Sequence, residues 1–177
     1  MFSEEKQTSN KVVTTEISNF SMKHNLAKAG GELIETKVGD RYVIDAVIKH
    51  DALFGFEPSG HFYFPKVSNS MDGMATFLFF LKLLEIKPNL NNHLSKIPKY
   101  QRIQKNFDIS MNIEIDEKKI LEIILNLIDP CKEKIVIRKS MWDPVLRIYY
   151  DFIQDNNFEI IEHELEKLIE NFDIKEI

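Results

Sequence analysis

The sequence predicts an α/β protein of two linked parts: an α/β layer and, after it, a small α+β domain. Three observations predict it. Between residues 11 and 64, short β-branched or aromatic runs alternate with helix-period segments, the pattern of strands and crossover helices in a parallel sheet. Between residues 88 and 99, Pro88, Pro98 and a cluster of Asn and His residues interrupt every period, which marks a linker. From Tyr100 onward the order is strand, helix, strand, strand, helix, which closes as an antiparallel sheet with two helices on one face. The expected division is therefore a tail at 1–10, a first domain at 11–87, a linker at 88–99 and a second domain at 100–177.

The elements follow in order. "KVVTTEIS", Lys11 to Ser18, is β-rich, and Phe20, Met22, Leu26 and Ala29 then recur at helical spacing until Gly30-Gly31 ends the helix. A strand at Glu32 to Thr36, a turn at Val38-Gly39-Asp40, a helix from Arg41 to Lys49 and a strand at Leu53 to Phe56 continue the alternation. A short strand, "HFYF", follows a Ser-Gly-His turn. The polar loop "PKVSNS" then leads to a helix that Asp72 caps through its carboxylate. That helix carries the most apolar window of the chain, "MATFLFFLKLLEI", and is expected to be buried. In the second domain the expected strands are Phe107 to Glu114, Lys134 to Lys139 and Val145 to Phe152, and the helices Asp116 to Ile128 and Phe158 to Phe172. Ile120, Leu121, Ile123, Ile124 and Leu127 form one apolar stripe, and Ile160, Ile161, Leu165, Leu168 and Ile169 another.

Composition narrows the function classes. Of 177 residues, 44% are hydrophobic, enough for a real core. A net charge of -5 argues against nucleic acid or an anionic membrane as a partner held by bulk electrostatics, leaving small molecules or proteins. The single cysteine, Cys131, excludes an internal disulfide and has no Cys or His at zinc spacing, consistent with a reducing, cytoplasmic setting. The acidic start "MFSEEKQTSN" lacks the order of a signal peptide. The Met74 to Ile86 window is interrupted by Lys82 and is shorter than the roughly 20 residues that span a bilayer.

Three loops hold polar residues out of keeping with their apolar surroundings. In "GFEPSGHFYF", Glu57, Ser59 and His61 alternate, with Pro58 and Gly60 between them favouring a turn. A carboxylate, a hydroxyl and an imidazole suit the vicinal hydroxyls of a sugar. A capped turn, with Glu57 accepting from backbone amides, fits the same residues. In "TKVGDRY", Lys37 precedes a glycine turn into a helix, where an ammonium and backbone amides converge on an anion. In "IRKSMWDPVLRIYY", Arg138 and Ser140 sit on a strand-to-strand loop ended by Pro144, a pair able to grip phosphate, or simply an exposed hairpin.

These loops occur in the order and spacing of the α-D-phosphohexomutase family of phosphomannomutases, phosphoglucomutases and phosphoglucosamine mutases, which the chain resembles from Lys11 onward. "VVTTEISNF" resembles that family's Val-Val-Thr-Thr strand of domain 3, "TKVGDRYV" its Lys-Val-Gly-Asp turn, and "FEPSGHFYF" its Gly-Glu-x-Ser-Gly-His sugar loop. "SMDGMATFLFFLKLLEI" resembles the Asp-Gly helix after it, and "IRKSMWDPVLRIYY" the Arg-x-Ser-Gly-Thr-x-Pro phosphate loop of domain 4. The resemblance implies a partial three-layer α/β domain with a mixed sheet, followed by domain 4. It implies that Glu57, Ser59 and His61 contact sugar hydroxyls, that Lys37 contacts the bound phosphosugar, and that Arg138 with Ser140 holds its non-reacting phosphate. The Ser-Gly-His ending is similar to the phosphomannomutase and phosphoglucosamine mutase branches.

The family's chemistry also uses a phosphoserine in a Ser-His-Asn-Pro type loop and Mg²⁺ in an Asp-Gly-Asp-x-Asp-Arg loop. Neither pattern occurs in this sequence. The expectation is thus the C-terminal part of a mutase that recognises a hexose phosphate, has no catalytic or metal residue of its own, and is inactive alone. It pairs with a separate N-terminal half or, alternatively, is a non-catalytic remnant or binding module. Two departures from the pattern stand out: Phe56 replaces the Gly before Glu57, and Met141-Trp142-Asp143 replaces Gly-Thr-Glu. The same reading expects exposed apolar surface at Val12, Val13 and the Phe77 to Phe80 helix, where the missing start of the domain would sit.

Overall fold

The structure is a computed structural model and describes residues 9–109, 117–126, 128–140, 143–153, 158–170 and 175–176. The chain divides into two compact units, Met1–Pro98 and Lys99–Ile177.

In the first unit β1 (Lys11–Thr15) is the central strand, followed by α1 (Ser21–Lys28) and β2 (Glu32–Thr36). Then come α2 (Asp40–His50), β3 (Phe54–Phe56), β4 (Phe62–Tyr63), α3 (Gly73–Ile86) and the short α4 (Leu90–Leu94). The sheet order is β2-β1-β3-β4, with β1 parallel to both β2 and β3 and only β4 antiparallel, so the sheet is mixed. α4 lies inside the segment expected to be a plain linker.

Sheet alternation separates the two faces. Val13 pairs with Gly55, and a Cβ on Gly55 would meet Val43 Cγ1 at 2.5 Å and Val47 Cγ2 at 2.6 Å, so this is the face that α2 covers. Val13, Val43, Ala46, Val47, Ala52 and Tyr63 form its core. Each fully buried valine here contributes about 1.5–3 kcal/mol relative to an exposed one. The opposite face carries a run of aromatic rings: Phe54, Phe56, Phe62 and Phe64 lie 5.4–6.3 Å apart, and Phe64 meets Phe79 of α3 at 4.5 Å.

The expected exposure of Val12 and Val13 and the expected burial of the Met74 to Ile86 helix are corrected, whereas the expected exposed apolar surface at Phe77 to Phe80 is found. Val12 and Val13 are buried, at 5% and 0%, because β1 has a strand on each side and α2 packs over Val13. α3 is the reverse: Asp72 caps it as expected, accepting from the Ala75 amide at 2.8 Å, yet Ala75 is its one buried residue. Phe77, Leu78, Phe79, Phe80, Leu81 and Leu83 are all exposed. A helix apolar all the way round asks for cover on every side, and the aromatic face meets it at Phe79.

The second unit is built on β5 (Gln101–Asp108), β6 (Glu133–Lys139), β7 (Val145–Phe152) and β8 (Lys175–Glu176), with helices α5 (Glu117–Leu125) and α6 (Phe158–Glu170). All pairings are antiparallel, in the order β6-β7-β5-β8. β5 starts six residues before the Phe107 expected from the sequence (107 − 101 = 6), because its full length pairs with β7 from Gln101↔Phe152 to Asp108↔Val145. The expected continuation to Glu114 lies outside the described residues, and β8 has no counterpart in the sequence reading. Ile135, Ile137, Ile148 and Tyr150 meet Ile120, Ile124 and Ile161 in the core. Ile160 is 56% exposed, not core, since adjacent residues on a helix point about 100° apart. Leu127, and the side chains of Ile123, Leu165, Leu168 and Ile169, are outside the described residues.

Asp151, at 1% exposure, is held by Arg102 through two hydrogen bonds of 2.6 and 2.7 Å, the bidentate geometry that compensates a buried carboxylate.

Candidate functional site

Topology alone points to one edge of the first sheet. The chain runs from β1 through α1 to β2 on one side, then through α2 across to β3 on the other. The place where an open sheet changes direction, outside the carboxyl ends of its parallel strands, is where such folds hold ligands. Here those ends carry Thr15 as the last residue of β1, Lys37 after β2 and Glu57 after β3.

The Glu57 loop is a turn. The Glu57 amide donates to the His61 carbonyl at 2.9 Å and the Gly60 amide to the Glu57 carbonyl at 3.0 Å. Gly60 has φ 91, a conformation open to glycine without strain. The Glu57 carboxylate is 9% exposed and accepts from the Gly39 amide at 2.8 Å through Oε1 and from the Ser59 hydroxyl at 3.3 Å through Oε2. Gly39 sits just before α2 at φ 135, so the carboxylate takes up an amide at the positive end of that helix. The two readings of this motif, a capped turn and a convergent polar cluster, are thus both present in one arrangement: a buried carboxylate with exposed Ser59 and His61 around it.

His61 Nδ1 lies 3.3 Å from Asp40 Oδ1 and 3.9 Å from Glu57 Oε2. With the His61 and Asp40 side chains 58% and 49% exposed, this contact contributes little stability. Asp40 has no place in the sequence reading as a site residue. Its signal was its position in the Lys-Val-Gly-Asp turn, one residue before the helix expected to start at Arg41. Lys37 is exposed at the end of β2, and the Thr36 hydroxyl donates to its carbonyl at 3.0 Å.

Asp40, Glu57 and His61 each offer a ligand atom within 4.8 Å of the others. Mg²⁺ takes six oxygen ligands in an octahedron, whereas an imidazole beside two carboxylates suits a transition ion. The three residues therefore do not fit the family's Mg²⁺, and no step is assigned to a metal here.

Phe56, the departure from the family's glycine, pairs with Thr14 and Phe62 and stacks in the aromatic run. By strand alternation its ring lies on the face away from α2 and from the Gly39–Glu57 contact.

The second loop is organised differently. Arg138 belongs to β6 itself and stands opposite Arg147 of β7. The alternation of buried and partly exposed residues puts both on the face away from the core. Like charges placed opposite one another destabilise a ladder, and Asp143 lies 3.4 Å from the Arg147 guanidinium. Arg147, which the sequence reading left out, is identifiable only once the register is known. Ser140 is buried, its amide donating to the Val145 carbonyl at 2.8 Å and its hydroxyl accepting from the Asp143 amide at 3.4 Å. Met141 and Trp142, expected to alter this loop, lie outside the described residues.

Residues 1–100 match the family described as phosphoglucomutase/phosphomannomutase, alpha/beta/alpha domain III.

The chain belongs to that family.

Among curated proteins it is 36% identical over 141 residues to the phosphoglucosamine mutase of Dictyoglomus turgidum, covering 78% of this chain and 32% of that protein. It is 32% identical over 160 residues to the phosphoglucosamine mutase of Thermotoga neapolitana, covering 90% and 37%. The chain therefore spans about a third of the length of the curated relatives it matches. Among solved structures, a phosphoglucomutase/phosphomannomutase family protein from Burkholderia thailandensis superposes with a TM-score of 0.71 at 15% identity, over 93% of this chain and 38% of that one. An Aspergillus fumigatus N-acetylphosphoglucosamine mutase, solved with glucose 1,6-bisphosphate, gives 0.67 at 14% identity, over 90% and 38%. At these identities the structural likeness speaks to the fold. Among the described residues no helix is long and apolar enough to cross a membrane.

Proposed function

We propose that this chain is the substrate-recognition portion of a phosphohexomutase of the phosphoglucosamine mutase type, and that it binds a hexose or hexosamine phosphate without turning it over. The observation that carries the reading is the Glu57 carboxylate. It is nine-tenths buried, held at one oxygen by the Gly39 amide, and its other oxygen has an exposed hydroxyl and imidazole beside it.

A carboxylate with lone pairs to spare accepts two vicinal sugar hydroxyls, while Ser59 and His61 supply the donors that sugar oxygens need. In this reading Lys37 meets the negative charge of the phosphosugar. Arg138, with Arg147 beside it, supplies the forked donors that suit a phosphate dianion, and Ser140 shapes the loop.

Recognition alone does not lower the barrier to phosphoryl transfer. That step is accelerated by positioning a donor and by spreading charge from the transferring group. The sequence carries neither the family's phosphoserine pattern nor its metal-loop pattern. We therefore assign the chemistry to an N-terminal portion outside this sequence, on the same or a separate chain, and the binding to this one.

The test is calorimetric titration of the 177-residue chain with glucosamine 6-phosphate, mannose 6-phosphate and glucose 6-phosphate, alongside a coupled mutase assay with Mg²⁺ and a bisphosphate activator. Saturable binding with no turnover is expected. Turnover by the chain alone contradicts the division of labour, and the absence of binding to all three contradicts the recognition reading.

A further inference from the structure

We propose that Thr15 is a positioning residue of the Glu57 site, its hydroxyl donated to the Glu57 carboxylate when a phosphosugar binds. The inference rests on the recognition reading above and names a residue that reading does not use. Thr15 is fully buried, and its Oγ1 has no hydrogen-bond partner among the described residues. Its neighbour Thr14 shows that acceptors are at hand at this strand end: its Oγ1 pairs with Ser18 Oγ at 2.5 Å and donates to the Phe56 carbonyl at 3.0 Å. A hydroxyl sealed without a partner forfeits the bonds it makes to water. Valine, of nearly the same shape, would forfeit nothing. Packing therefore gives no reason for threonine at position 15.

Placement gives one. The parallel pairing of β1 and β3 runs to Thr14↔Phe56, so Thr15 and Glu57 are the next residues on the two neighbouring chain segments. Adjacent strands are about 4.8 Å apart. Both residues fall on the α2 side: Thr15 alternates with Val13, which packs on that helix, and Glu57 reaches the Gly39 amide before its first turn. A carboxylate offers about four lone-pair directions, and Gly39 and Ser59 take two of them. When sugar hydroxyls replace the exposed Ser59 donor, the carboxylate turns, and Thr15 is the buried donor positioned to hold its new angle. An unpaired buried group of this kind, kept at a ligand site, trades stability for function.

Thr15→Val and Thr15→Ser in the full chain test this through melting temperature without ligand and calorimetric titration with glucosamine 6-phosphate. Thr15→Val is expected to melt about 2–4 °C higher and to bind about 10- to 100-fold more weakly, the loss of one charge-assisted hydrogen bond. Thr15→Ser, which keeps the hydroxyl, is expected to restore the affinity. A valine variant that binds like the wild type overturns the proposal while leaving the recognition reading intact, and so does one that melts lower, since the hydroxyl would then already be paired. A wild-type chain that binds no sugar phosphate removes the recognition reading and this inference with it.

Discussion

The Glu57 loop and the Arg138 loop both offer polar residues for ligand binding in the sequence, and the fold treats them in opposite ways. Around Glu57 the side chains are wired to one another and to the start of α2, so the site is built before any ligand arrives. Around Arg138 the two guanidiniums stand side by side on a strand pair, while the serine that accompanies them is turned into its own hairpin. The first loop costs little to organise on binding. The second places two guanidiniums side by side with one carboxylate, Asp143, on Arg147, a net positive field that an anion relieves. Polar residues in a turn thus serve recognition in two ways, by preorganised hydrogen bonds and by placed charge, and the two fail differently when mutated.

Gly55→Val tests the platform under the first loop and should have the largest effect. The added side chain meets Val43 and Val47 at about 2.5 Å where β3 touches α2, an overpacking expected to cost about 3 kcal/mol. Thermal melts and hydrogen exchange at the Val13 and Val47 amides report it.

Glu57→Ala should cost about 2 kcal/mol, because the Gly39 amide and the Ser59 hydroxyl lose their acceptor, and should abolish sugar-phosphate binding in the same protein. Stability and affinity moving together would mark a preorganised site. Asp72→Ala is the control for that coupling. Losing the cap on α3 should cost about 1 kcal/mol and leave affinity unchanged, showing that lost stability does not by itself loosen the ligand.

Arg138→Ala should show the smallest stability effect, below about 0.5 kcal/mol and in the stabilising direction, since it removes one of two opposed like charges. Its affinity for a sugar phosphate should nevertheless fall about tenfold, and more steeply at low salt. A variant that loses stability as Glu57→Ala does would erase the distinction between the two loops.

Much of the architecture was readable in the sequence because its elements carry strong local signals. The alternation around Val13, the glycines at 30 and 39, the Asp72 cap and the β-branched run at Lys134 to Lys139 each state one conformation. What stayed hidden depends on long-range pairing. The start of β5 at Gln101 is polar and follows a linker, so nothing local marks it as a strand until β7 supplies its partner. Arg147 becomes a companion of Arg138 only through the register of β6 and β7. Asp40 joins His61 because α2 begins beneath the Glu57 turn, 21 residues away in sequence. Hydrophobicity alone also misleads about burial: α3 is the most apolar helix and among the least covered, whereas Thr14 and Thr15 are completely buried. The threonines are enclosed by β1's central place in the sheet, while α3 meets the aromatic face at Phe64 and leaves most of its apolar side chains exposed.

The central claim is that the Glu57 turn reads a phosphosugar. It is tested most directly by following the backbone amides of the 15N-labelled chain during titration with glucosamine 6-phosphate. The account predicts saturable shifts at Lys37, Gly39, Glu57, Ser59, Gly60 and His61, absent in Glu57→Ala. Saturable binding that leaves those six amides unmoved, or that persists in Glu57→Ala, would contradict it.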